Sequence, residues 1–130
     1  MAELNNNKRR LNILKEYFAV CSLAELPDIP QGIFFLSRTK DEISLVCEER
    51  YIPEAAKESE RGWRALRVEG ILDFSLTGVL SELSGALAWW GISLFALSTY
   101  NTDYILVRKD SLKAACAALS AKGWIITGEI

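Results

Sequence analysis

The chain has 130 residues, half of them apolar, with 15 basic side chains against 17 acidic ones and no histidine. That length fits one ordinary domain or two very small ones that share a core, and the interspersed charges leave no basic footprint for nucleic acid. Lacking histidine, the chain lacks the commonest general base, the commonest metal ligand and every Ser-His or Cys-His nucleophile pair, which weighs against an enzyme.

Residues 1–10 hold the Asn5 to Asn7 run followed by Lys8, Arg9 and Arg10, and read as a solvated, flexible tail. No apolar segment follows this basic start as a signal peptide requires, so a cytoplasmic location is expected. Further on, Ser22-Leu-Ala-Glu-Leu-Pro-Asp-Ile-Pro leaves room for two helical turns at most, because Pro27 and Pro30 interrupt it. Ile33 to Ser37 and Ile43 to Cys47 read as a hairpin, with Asp41-Glu42 and Glu48-Glu49-Arg50 on its solvated surface. Pro53 then opens a helix that Gly62 stops, and a strand starts at Trp63.

The next stretch repeats this plan more clearly. Ile71 to Phe74 is a short apolar strand. Val79, Leu83, Ala86, Leu87 and Trp90 follow at i, i+4, i+7, i+8 and i+11, which is one face of a helix with Gly91 as its stop. Trp89, next to Trp90, cannot share that face and is left for a surface or a subunit interface. Ile92 to Ser98 and Tyr104 to Arg108 form a hairpin around Thr99 to Asp103. Ser111 is placed to cap a second helix whose stripe is Leu112, Ala115, Cys116 and Leu119, and Trp124 to Thr127 is a last strand after Gly123. Leu83 to Thr102 is uncharged and as long as a membrane span, but its period changes from helical to alternating at Gly91, so it reads as helix and strand and no membrane is implied.

Aligned on itself at an offset of about 61 residues, the chain superposes Phe34, Leu36, Ser37, Leu45 and Val46 on Phe95, Leu97, Ser98, Leu106 and Val107. The same offset carries Ala56, Ser59, Gly62 and Trp63 onto Ala117, Ser120, Gly123 and Trp124. Two copies of one unit are therefore expected, 11–70 and 71–130, and the short link at Gly70 makes strand exchange between them plausible. Trp63 and Trp124 are expected as buried anchors. The fold class is α+β, each copy running βαββαβ with the sheet antiparallel and the helices on one face. Cys21, Cys47 and Cys116 are odd in number without C-x-x-C spacing, and read as buried thiols in a reducing compartment rather than as disulfides or metal ligands.

The run Asp73-Phe-Ser-Leu-Thr-Gly-Val-Leu-Ser-Glu-Leu, then Trp90-Gly-Ile-Ser-Leu-Phe-Ala-Leu-Ser-Thr-Tyr-Asn-Thr-Asp-Tyr-Ile-Leu-Val, resembles an ACT domain of ferredoxin-like topology. With Arg61-Gly-Trp-Arg-Ala-Leu before it, the chain is similar to small bacterial tandem-ACT proteins related to CASTOR-type arginine sensors and to aspartokinase-type regulatory domains. The match is strongest over Arg61 to Gly123. It implies a non-enzymatic regulatory module that binds a free amino acid at an interface between ACT units, in a homodimer and without a cofactor. The alternative is a dimerisation or interaction module with no ligand.

The residue chemistry offers a place for such a ligand. Gly78, after Thr77, allows close approach to the backbone, and the Val79, Leu80 and Ser81 amides of the helix start suit a carboxylate. Asp103, with Ser98, Thr99, Tyr100, Asn101 and Thr102 around the hairpin turn, offers acceptors for an ammonium. Gly78 and Asp103 also have plain structural readings, as a turn glycine and the first residue of a strand.

Overall fold

Strand β1 (Arg10–Leu23) opens the computed structural model, which describes residues 9–69 and 78–130. The chain forms two compact units: one gathers the residues up to Lys15 with Arg64–Ile130, and the other is Glu16–Trp63. Both β1 and β4 (Ala56–Val68) give residues to each unit. Gly70, the expected joint between repeats, lies outside the described residues, as do Ile71 to Phe74.

In the larger unit the end of β4 is followed by α1 (Val79–Trp89), β5 (Leu94–Ser98), β6 (Asp103–Arg108), α2 (Leu112–Ala121) and β7 (Ile125–Thr127). The order is βαββαβ, an α+β arrangement whose first strand is β4; the strand expected at Ile71 to Phe74 lies outside the described residues. β5 and β6 pair antiparallel, β4 and β1 follow β6 across the sheet, and β7 joins β1 in parallel through Arg10↔Ile125 and Leu11↔Ile126. Alternate strand residues, Leu11 with Ile13, Leu66 with Val68 and Ile105 with Val107, share one core with Leu83 and Leu87 of α1 and Leu112, Ala115 and Leu119 of α2. Spacing by two puts each strand pair on one face, so both helices cover the same side of the sheet.

Both helices end in the same way. Gly91 (φ 70°) donates its N–H to Ala88 O and Ile92 donates to Leu87 O; Gly123 (φ 96°) donates to Ser120 O and Trp124 to Leu119 O. These paired bonds satisfy the last carbonyls, and the left-handed residue they need is a glycine. This stop corrects the expected stripe. Trp90 is 67% exposed, because the chain turns away at Gly91 and Ile92 takes the buried place against Leu87. Ser111 makes no capping bond either; it closes a 3₁₀ turn, Lys109–Ser111, with helical dihedrals of its own. Trp63 and Trp124 are buried, as are all three cysteines.

The Glu16–Trp63 unit has β2 (Phe34–Arg38), β3 (Ile43–Glu48), the end of β1 and the start of β4, in the order β2-β3-β1-β4. Its core is Ala19, Cys21, Leu23, Leu45 and Cys47, backed by Phe34, Ile43 and Ile52. None of these residues lies in an α-helix, so the helix expected between Pro53 and Gly62 is replaced by strand. Lys57 to Arg61 are all exposed and offer no apolar stripe for a helix to bury, whereas pairing of β4 beside β1 satisfies the backbone. Glu48, expected on the solvated surface, is buried at 3% exposure. Its carboxylate accepts the Ile33 N–H at 2.7 Å and the Arg50 Nε–H at 3.2 Å. Glu49 accepts the N–H of Gly62 at 2.6 Å.

Repetition is visible in the hairpins. Arg38↔Ile43 closes one and Ser98↔Asp103 the other, each residue of the second standing 60 after its counterpart. Thr39 N–H donates to Glu42 O as Thr99 N–H donates to Thr102 O, and a 3₁₀ turn follows each hairpin. The structural spacing is thus one residue shorter than the offset of 61, and it pairs Phe35 with Phe95. Beyond the 3₁₀ turns one copy enters α2 and the other enters β4.

Candidate ligand-binding site

Gly78 caps α1 with φ 87°, and among the described residues nothing lies within 4 Å of where a Cβ would sit. The backbone there is accessible in a conformation other residues rarely adopt. Its carbonyl accepts the Glu82 N–H at 2.8 Å, the first bond of the helix. Val79 and Leu80 are half-buried against the core, which fixes the helix start while its leading N–H groups point outward along the axis. Thr77 lies outside the described residues.

The charge near this helix start is balanced locally. Glu82, in the first turn, would by itself repel an incoming anion. Arg9 binds it with both guanidinium nitrogens, Nη1 at 2.5 Å from Oε1 and Nη2 at 2.9 Å from Oε2. Trp124 Nε1 also donates to Glu82 Oε1 at 3.1 Å, Arg9 Nη1 donates to Lys122 O, and the guanidinium lies 5.6 Å from the Trp124 ring centre. Arg9 is therefore part of the folded unit rather than of the solvated tail. No local sequence signal announces this, since its partners are more than 70 residues away.

The second group of candidate residues forms the β5–β6 turn. Ser98 Oγ donates to Asp103 Oδ1 at 2.6 Å, which aims the carboxylate across the mouth of the hairpin. Thr99 Oγ1 donates to Thr102 O at 3.1 Å and accepts the Thr102 N–H at 3.3 Å. Thr102 is buried, and its hydroxyl donates to Val68 O at 2.7 Å, tying the turn to the end of β4. Tyr100 and Asn101 are exposed at the tip. The structure thus brings Ser98, Thr99, Thr102 and Asp103 into one bonded turn, and sets Gly78, Val79 and Leu80 at the start of α1 in the same unit. The carbonyl of Val68, which anchors the turn, was not legible as part of it.

Among the described residues no cluster of His, Cys, Asp or Glu could hold a metal ion, and no helix is long and apolar enough to cross a membrane. All three thiols are buried, away from any reactant in solution. Burial, followed by the neighbouring Cys21, pushes Cys47 up to about 12, and burial raises Cys116 against the opposing pull of Arg64. In the smaller unit a cleft of about 540 Å³ opens between the proline-bearing 24–31 segment and residues 51–55. The sequence reading did not mark it.

Residues 58–121 match the ACT domain. That segment contains the end of β4, α1, the β5–β6 hairpin and α2, and so carries both groups of candidate residues. Protein Atu0741 from Agobacterium tumefaciens is 28% identical, covers 93% of each chain and superposes with a TM-score of 0.81. VC0802 from Vibrio cholerae, a protein of unknown function, is 18% identical over 94% of this chain and 95% of that one, with a TM-score of 0.68. The regulatory subunit of aspartate kinase from Thermus thermophilus is 8% identical over 85% of this chain and 95% of its own, with a TM-score of 0.60. At such identities the last two establish a shared ACT-like fold. No curated protein matches the chain.

Proposed function

We propose that the chain is a non-enzymatic, cytoplasmic regulatory module that binds a free amino acid at an ACT interface and works as a homodimer. The observation that carries the reading is the start of α1, where Gly78 holds a left-handed backbone with none of the described residues crowding it, inside the segment that matches the ACT domain. In this reading the ligand carboxylate takes the Val79, Leu80 and Ser81 amides, and the Arg9–Glu82 pair keeps that end from repelling it. The ammonium takes Asp103 Oδ2, with Ser98 holding the other oxygen and Thr99 to Thr102 shaping the turn. Thr77 belongs to the same proposed site.

A second reading, association without any ligand, is favoured by the exposure of Trp89 and Trp90. A thermal-shift screen against the common amino acids separates the two. Ligand at about 100 times its dissociation constant adds roughly 2.7 kcal/mol to the folded state. One or a few amino acids raising the melting temperature accordingly is the expected result, and a uniformly flat screen favours the second reading.

A further inference from the structure

The two helices of the larger unit turn toward solvent a surface unlike that of an ordinary amphipathic pair. Outer helix faces normally carry the charges of a soluble protein. Here, of all the exposed positions of α1 and α2, only Lys113 is charged, and Lys122 follows directly after α2. Glu82, the one acid of α1, is turned to Arg9 and Trp124. In place of charge the surface presents Trp89, 84% exposed, and Trp90, 67% exposed. Charge depletion with tryptophan enrichment is the signature of the centre of a protein–protein interface.

The same face also contains a receptacle. Trp90 and Ile92 form one wall of an apolar hollow of about 270 Å³ whose other wall is Ala114, Ala117, Ala118 and Ala121 of α2. Its size is on the scale of one bulky side chain. The protruding indole of Trp89 and the hollow walled by Trp90 come from neighbouring residues, so knob and hole lie side by side on one patch. A patch that carries both halves of a contact is complementary to itself under a two-fold rotation. The area agrees. Exposed to this degree, two indoles contribute roughly 300 Å² per copy, over a third of the ~800 Å² per partner of a stable interface, and the surrounding alanines extend it.

We infer that this face is the contact between two copies of the chain, with Trp89 of each copy seated in the alanine-walled hollow of the other. This names the surface for the homodimer of the preceding reading and rests on that reading only for the dimer's existence. Sedimentation across a dilution series tests it, using the wild type, Trp89→Ala and Ala117→Arg, with far-UV circular dichroism to verify folding. The wild type should sediment at twice the 14.5 kDa of one chain, and its tryptophan emission should shift to the red on dilution. Each variant should associate about tenfold or more weakly. Ala117→Arg fills the hollow with a charge on an exposed helix position, so it retains the fold even if loss of Trp89 does not. A wild type that stays monomeric at high micromolar concentration, whatever other protein it then binds, overturns the inference, as does either folded variant with wild-type association. Amino-acid stabilisation is read separately on the same samples, so failure of ligand binding is not confused with failure of this surface.

Discussion

Cys47 has no exposed surface, and burial is the first cause holding its thiol well above the usual range, at about 12 against an ordinary 9.0. Cys21 beside it and then Glu48 add to the effect. Between those values the folded state keeps a proton that the unfolded state releases, so this contribution to stability is complete below about 9 and is lost as pH rises toward 12. Urea denaturation of the wild type and of Cys47→Ala, followed from neutral to alkaline pH, should show the wild type losing stability more steeply; parallel pH profiles would contradict it. The burial of the three cysteines was legible from their type and spacing. The burial of Glu48 was not, because what offsets its cost is the guanidinium of Arg50 together with the N–H of Ile33, brought there by the turn at Gly32. That glycine has φ 71°, and a Cβ on it would stand 2.2 Å from the Glu48 carboxylate. A carboxylate beside another acid reads as surface unless such a donor is foreseen.

At the scale of elements, periodicity was a good guide wherever an apolar stripe existed. Leu83, Ala86 and Leu87 in α1 and Leu112, Ala115, Cys116 and Leu119 in α2 are buried as their spacing requires. Trp90 continued the stripe by arithmetic alone, since the geometry that ends α1 intervenes first. Gly91→Ala tests that geometry. An alanine must adopt φ 70° or break the bonds of Gly91 and Ile92 to the last carbonyls, and the left-handed region costs a non-glycine residue about 1 kcal/mol. Denaturation should show a loss of that size, and an unchanged midpoint would mean that the helix stop does not depend on this glycine. The stretch from Pro53 to Gly62 shows the limit of propensity. Its residues favour a helix, but with no face to bury they are drawn into β4 by its neighbour β1.

Across the whole molecule, the repeated hairpin was visible in the sequence, though one residue out of step, while the 3₁₀ turn that follows each hairpin was not. The placing of Arg10 to Asn12 against Ile125 to Thr127 was not visible either, because partners 115 residues apart leave no local pattern. For the candidate site, residue type and position picked out the helix start and the turn, while the supports that only folding assembles, Arg9 on Glu82 and Thr102 on Val68, were invisible. The claim that joins these parts is that an amino acid bridges the α1 start and Asp103. Isothermal titration of the wild type and of Asp103→Asn, with the amino acid that gives the largest thermal shift, tests it most directly. Losing the charge-assisted bond to the ammonium should weaken binding by about 1.5 to 3 kcal/mol while the melting temperature without ligand changes little. A folded Asp103→Asn chain that binds the amino acid as tightly as the wild type would contradict the claim and move the ligand elsewhere.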